Sequence, residues 1–325
     1  MGVFWFMSIQ YEKVEKIDIP GYKRKMFHVS NLTVNTESES IGETINGNSF
    51  LYFMNDWQYG HVMQDVIGHY EFLRQFVPDL RLIIFSQNKR DSESGKLITP
   101  NSVVDNIIER YPDCIFANDK DKILIKNIYY LFVTFMDLIR TYDLETNDII
   151  HYESDEDFNY QIWAARFIAE KFKPKDPVKP TRKIYISRSI ADKTYEVEYL
   201  SYYKRIRVLE NSKLLEDYLE SIGYEIILNE NLSLDEQAKL YQSASHVITI
   251  NGTGAYNTIF CKPETNIIFL NIHTEFDWFF DRLTYEVTSN NVLQLPKIHK
   301  SFDYDGHAIV VEQLIECLKT IEDKL

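Results

Sequence analysis

Cysteine, glycine and positive charge are all scarce in this chain. Its 325 residues include three cysteines, Cys114, Cys261 and Cys317, odd in number and far apart. They make no CxxC unit and no disulfide framework, which suits a reducing cytoplasm. Basic residues number 35 against 49 acidic ones, a formal charge of −14. A duplex nucleic-acid binder needs a basic face, so that class is disfavoured, while a local basic pocket for a small anion stays open. No apolar run approaches the ~20 residues of a membrane span. Val3 to Ile9 is the longest N-terminal candidate; it is short and has no basic flank, so it reads as neither signal peptide nor anchor. The expectation is a cytoplasmic protein with no membrane span. Gly-x-Ser-x-Gly, Walker and Cys–His nucleophile patterns do not occur. With only 11 glycines in the chain, two that fall close together demand a backbone reason.

What is present is enough for a large core. The chain is 45% hydrophobic and 26% charged, which excludes wholesale disorder. Its length suits two domains. Lys173 to Pro180 carries Pro174, Pro177 and Pro180 and no apolar periodicity, so it reads as a linker. It divides residues 1–180 from 181–325. In the second half, strands are expected at Lys183–Ser187, Tyr224–Leu228, Val247–Ile250 and Asn266–Leu270. Helices are expected at Leu214–Ile222, with Gly223 as C-cap, at Leu234–Ala244 behind a Ser233/Glu236 capping box, at Ala255–Phe260 and at Asp303–Asp323. Strands alternating with helices predict a parallel sheet of Rossmann type. The first half also reads as α/β. Strands are expected at Asn48–Met54, Leu80–Phe85 and Ile123–Phe132, and helices at Tyr59–Phe76, Val103–Tyr111 and Gln161–Phe172.

The strongest chemical signal is Val247-Ile-Thr-Ile-Asn251-Gly252-Thr253-Gly254-Ala255-Tyr256-Asn257, a strand running into a glycine turn and a helix. In a parallel sheet this is the carboxyl edge, where ligands bind, and free N–H groups at the helix start favour an anion such as a phosphate. An ordinary tight turn has the same pattern. A second signal is Ser187-Arg188-Ser189 after the first strand of this half, with Lys193, Lys204, Arg205 and Arg207 further on. Arg188 and Arg207 can clamp a diphosphate by forked hydrogen bonds; the plainer alternative is a solvated basic surface. The third signal is His61 and Asp65, four apart on one helix face, with His69 a turn further. A carboxylate beside an imidazole orients it as a general base; a histidine packed at a domain interface is the other reading. Asp155-Glu156-Asp157 and Asp303-Tyr304-Asp305 are weak metal-site patterns in so acidic a chain, and no metal is expected.

Together these segments resemble glycosyltransferase family 61. The matching pieces are Tyr185-Ile186-Ser187-Arg188, Arg207-Val208-Leu209-Glu210-Asn211, Gly223-Tyr224-Glu225-Ile226, Leu232 to Gln237 and Asn251 to Asn257. His61 to Asp65 is similar to the family's His-x-x-x-Asp segment. Asn251 stands where the family usually has His, and Phe269 where it usually has Glu. The resemblance implies a GT-B architecture, two Rossmann-like domains facing across a cleft, with the final helix able to cross back to the first. By this resemblance the C-terminal domain would hold a nucleotide-sugar, expected to be UDP-linked, and the N-terminal domain a glycan or glycolipid acceptor. It implies an inverting, metal-independent transfer with no cofactor beyond the donor. His61 would be the base and Asp65 its orienting partner. Ser187, Arg188, Arg207, Asn211, Asn251, Gly252, Thr253, Gly254, Ala255 and Asn257 would bind the donor. A sugar-nucleotide epimerase of the same architecture and a non-catalytic nucleotide- or glycan-binding module are the alternatives.

Overall fold

The computed structural model describes residues 8–19, 25–35, 41–54, 62–86, 110–118, 122–131, 154–173, 178–187, 212–229, 232–250, 253–270, 277–290, 292–294 and 311–322. Two compact units emerge, Met1–Phe167 and Ile168–Leu325. The chain is α/β throughout, with one mixed sheet and one parallel sheet.

In the first unit seven strands form one sheet: β1 (Ser8–Gln10), β2 (Lys13–Asp18), β3 (Lys25–Asn35), β4 (Ile41–Met54), β5 (Arg81–Ser86), β6 (Ile115–Asn118) and β7 (Lys122–Leu131). Their order is β1-β3-β7-β4-β5-β6, with β2 also paired to β3. Strands β4 to β7 are mutually parallel, whereas β1, β2 and β7 run antiparallel to β3. The N-terminal antiparallel strands are an addition that the expected Rossmann-like pattern did not contain. Their weak alternation is the reason: β2 reads exposed at most positions, so no buried stripe announces it. A bulge separates Ile45 from Asn48 where β4 pairs with β7, and Gly47 supplies the positive φ of +97° there. Within the parallel part, β4 lies between β5 and β7. The sequence direction of the sheet therefore reverses at the β4/β7 boundary, a topological switch point. The chain leaves the carboxyl end of β4 and enters a π-helix, Val62–Gly68, continued by α1 (His69–Leu73).

This helical segment is buried by its own composition. Val66, Ile67, Tyr70, Phe72 and Leu73 are all in the core. The Tyr70 hydroxyl donates to the Leu80 carbonyl at 2.8 Å, and Tyr111 donates to the buried Glu71 carboxylate at 2.8 Å. Phe72 meets Trp163 and Phe167 edge-on, both on α2 (Ser154–Lys171). The expected helix over Val103–Tyr111 falls almost wholly outside the described residues.

The second unit carries a five-stranded, wholly parallel sheet: β8 (Arg182–Ile186), β9 (Glu225–Ile227), β10 (Ala244–Ile250), β11 (Asn266–Leu270) and β12 (Val292–Gln294). The order is β9-β8-β10-β11-β12. This is the 2-1-3-4-5 order of doubly wound domains, and its switch point lies between β8 and β10. On one face, Leu215 and Leu219 of α3 (Ser212–Ser221) and Leu314, Ile315 and Leu318 of α6 (Val311–Glu322) pack on Tyr185, Ile248, Ile250, Ile268 and Leu270. The final helix thus packs on its own unit's sheet, because its apolar stripe matches that face; this corrects the expectation that it crosses back. The alternate residues Ile184, Ile186, Val247, Ile267 and Phe269 point to the other face and are equally buried. There α4 (Leu234–Gln242) and a 3-10 helix, Thr253–Phe260, pack with β10, and α5 (Asp277–Thr288) packs on the 3-10 helix.

Local signals explain the helix ends. Ser233 and Glu236 form the expected capping box, each side chain bonding the other's backbone N–H. Gly223 follows α3 with φ +88°, a conformation that costs an L-residue about 1–2 kcal/mol. A Cβ there would meet nothing within 4 Å, so the cost is backbone strain alone. Gly223→Ala is expected to lower unfolding free energy by about 1–2 kcal/mol in urea titration with an unchanged m-value. An unaffected midpoint would show that the α3 terminus relaxes.

Candidate active site

The parallel pairing of β8 with β10 brings two sequence-distant segments to one edge. Ile186 is the register partner of Thr249, so Ser187-Arg188 and Asn251-Gly252 leave adjacent strands at the carboxyl edge. Ser187 is anchored twice. Its N–H donates to the Ile227 carbonyl at 2.8 Å, and its Oγ donates to Glu216 Oε1 at 2.5 Å. The glycine turn is anchored from α4 and the loop before it. Asn257 Nδ2 donates to Gln237 Oε1 at 2.6 Å. Gln237 Nε2 donates to the carbonyls of Asn229 and Leu232 at 3.1 and 2.9 Å. Asn229 Nδ2 donates to the Tyr241 hydroxyl at 2.9 Å, and that hydroxyl donates to the Gly254 carbonyl at 3.2 Å. Thr258 Oγ1 adds a bond to the Ala255 carbonyl at 2.7 Å. A chain of side-chain bonds therefore holds the turn after β10 against the loop after β9. Burial pushes the Tyr241 phenol well above its ordinary range, so it stays a neutral donor.

The expected donor residues divide into two groups. Ser187, Ala255 and Asn257 are buried, and the polar groups of Ser187 and Asn257 are engaged as described. The bonds of Ser187 and Asn257 brace the strand edge from within. A Cβ on Gly254 would lie 3.7 Å from Asn229 Nδ2 and 3.8 Å from Ile186 Cγ2, in ordinary contact with the protein. Thr253 begins the 3-10 helix, and its side chain lies outside the described residues, as do Arg188, Arg207, Asn211, Asn251 and Gly252 altogether. In the first unit, His61 is outside them too; Asp65 has its backbone in the π-helix directly after. Such π-type turns occur frequently at functional sites. His69 is buried against Phe50, ring centroids 6.4 Å apart, and belongs to the core.

The remaining sequence candidates fare differently. Phe269 is fully buried in β11, a core residue. Asp155 and Asp157 lie in the first turn of α2; two apart on a helix, they do not share a face. Asp303 and Asp305 are outside the described residues. No group of three potential metal ligands occurs among the described residues. Burial raises the Cys114 thiol to about 12 and that of Cys261 further, so neither is a ready nucleophile. Sequence reading missed Glu216, Asn229, Gln237 and Tyr241. The available signal was a polar residue, Gln237, set within the buried stripe of α4.

The second unit supplies a carboxyl strand edge and a rigid polar support behind it. The sequence model described as Glycosyltransferase 61 matches residues 59–268, which include the His61 segment, β8 and the glycine turn. The chain belongs to this glycosyltransferase family. No curated protein matches it significantly. No described helix is long and apolar enough to cross a membrane.

Tyr241→Phe tests the bracing. It keeps the ring's volume but strips the Gly254 carbonyl and the Asn229 amide of their shared partner. The expected loss is about 1–3 kcal/mol of stability. Chemical denaturation of both proteins checks this, and equal midpoints would mean that water replaces the hydroxyl at no cost.

Proposed function

We propose that the protein is an inverting glycosyltransferase of the GT-B kind. It transfers a sugar from a nucleoside diphosphate donor, UDP-linked, to a hydroxyl of a glycan or glycolipid. The second unit holds the donor and the first offers the acceptor. One observation supports this most: the two cation- and glycine-bearing segments leave adjacent parallel strands at a topological switch point, inside the span matched by the family.

In this reading the acceptor oxygen attacks the anomeric carbon as the bond from that carbon to the diphosphate oxygen breaks. His61 takes the acceptor proton, and Asp65 orients the imidazole. Arg188, Arg207 and the backbone N–H groups of the Gly252 to Ala255 turn take up the charge on the departing diphosphate. With charge stabilised in this way, the transfer needs no divalent ion. The location proposed is the cytoplasm.

A thermal-shift screen against UDP, GDP, CMP and their sugars identifies the donor class. Arg188→Ala and Arg207→Ala are each expected to weaken nucleotide binding by about 1.5–3 kcal/mol in calorimetry, the worth of a charge-assisted hydrogen bond. Unchanged affinity in both variants would place the diphosphate elsewhere.

The base is tested by turnover in excess EDTA, where the wild type is expected to stay active. His61→Ala should lower turnover by about 10²–10⁴ with donor affinity nearly intact, and Asp65→Asn should cost less. A packing role for His61 predicts the reverse, a lower melting temperature with normal turnover per folded molecule. Release of UDP without an acceptor, or interconversion of the donor sugar alone, would turn the reading toward hydrolysis or epimerisation. Binding of nucleotide with no release whatever acceptor is offered would make the protein a binding module.

A further inference from the structure

One buried carboxylate stands at the carboxyl edge of the second unit's switch point. Glu216 lies on α3, directly after the core residue Leu215, and is only 7% exposed. Its Oε1 accepts the Ser187 hydroxyl at 2.5 Å. Ser187 is itself fixed at the end of β8 by its N–H bond to Ile227. A carboxylate can accept about four hydrogen bonds, and among the described residues Ser187 is the one hydrogen-bond partner of Glu216. No salt bridge to Glu216 occurs among the described residues; the neighbouring Lys213 reaches Asp217 instead, at 2.7 Å. The carboxylate is therefore oriented and largely dehydrated. It stands beside the residue that precedes Arg188, at the sheet edge where ligands of such folds bind.

We infer that Glu216, oriented by Ser187, is a ligand-binding residue that accepts hydrogen bonds from a vicinal diol of the sugar nucleotide. The inference rests on the donor reading above and deepens it. A fixed carboxylate is the acceptor-only partner that two adjacent hydroxyls need, and it rejects a ring lacking one of them because its own lone pairs are then left buried and unmatched. Either ring of the donor carries such hydroxyls, the ribose or the transferred sugar. Glu216 reaches the edge through Ser187 itself.

The test compares wild type with Glu216→Gln, which keeps the side-chain length and can still accept from Ser187. Calorimetry is run with UDP, 2′-deoxy-UDP and UDP-glucose, and melting temperatures establish that both proteins are folded. If the ribose is the partner, wild type should bind UDP about 10- to 100-fold tighter than 2′-deoxy-UDP, and the variant should lose most of that ratio. If the sugar is the partner, the ratio to be lost is that between UDP-glucose and UDP. A structural role moves all three affinities together and leaves both ratios intact, which overturns the inference. Should Glu216→Gln fail to fold, Ser187→Ala reads the same ratios through the lost orienting bond. Both ratios near one in the wild type also overturn the inference while leaving the donor reading in place. No UDP binding at all removes the UDP-donor reading, and the inference with it.

Discussion

The second unit depends on the parallel pairing of β8 with β10. The two strands are separated by about sixty residues of chain, including α3, β9 and α4, yet their ends are brought side by side. That pairing survives because both strands are buried on both faces. Tyr185, Ile248 and Ile250 meet α3 and α6, while Ile184, Ile186 and Val247 fill the opposite face. A register slip of one residue would exchange the two sets, placing the large Tyr185 where Ile184 and Ile186 are accommodated. Everything proposed about the donor follows from this geometry, since it is the reason Ser187 and the glycine turn share an edge.

The polar bonding around that edge has a second function. Backbone turns at the carboxyl edge of a sheet have the core on one side at most, so packing alone does not fix them. Here the support comes from behind. Asn257, Gln237, Asn229 and Tyr241 form a continuous path that ends on the Gly254 carbonyl. Each link satisfies a buried group that would otherwise cost free energy, so the path is stabilising and directional together. The Tyr241 hydroxyl spends its one hydrogen on Gly254, so it can only accept from Asn229, which fixes the orientation of that amide. Ser187 and Glu216 do for the end of β8 what this path does for the end of β10.

The first unit uses the same device in a different frame. Its parallel strands β4 to β7 also contain a switch point, and the His61–Asp65 segment follows the strand beside it. Antiparallel strands extend the sheet beyond β7. The span matched by the glycosyltransferase 61 family includes segments of both units.

Much of the architecture was legible from residue order. The four expected strands of the second unit, the Ser233 capping box and Gly223 at the α3 terminus all appear within a few residues of where periodicity and capping chemistry put them. These features depend on neighbours in sequence, so sequence suffices. The antiparallel strands β1 to β3, the helix α5 and the short strand β12 were not legible, because their burial comes from partners far along the chain. The site shows the same division. Ser187 and Gly254 could be placed from strand-then-turn patterns, since such turns announce a carboxyl edge. That Asn257 points inward to Gln237, that Gly254 faces Asn229, and that Glu216 lies under Ser187 were decided only by tertiary packing. The physical reason is that local chemistry sets where a strand ends, while the direction a side chain takes there is set by whatever the fold brings opposite it.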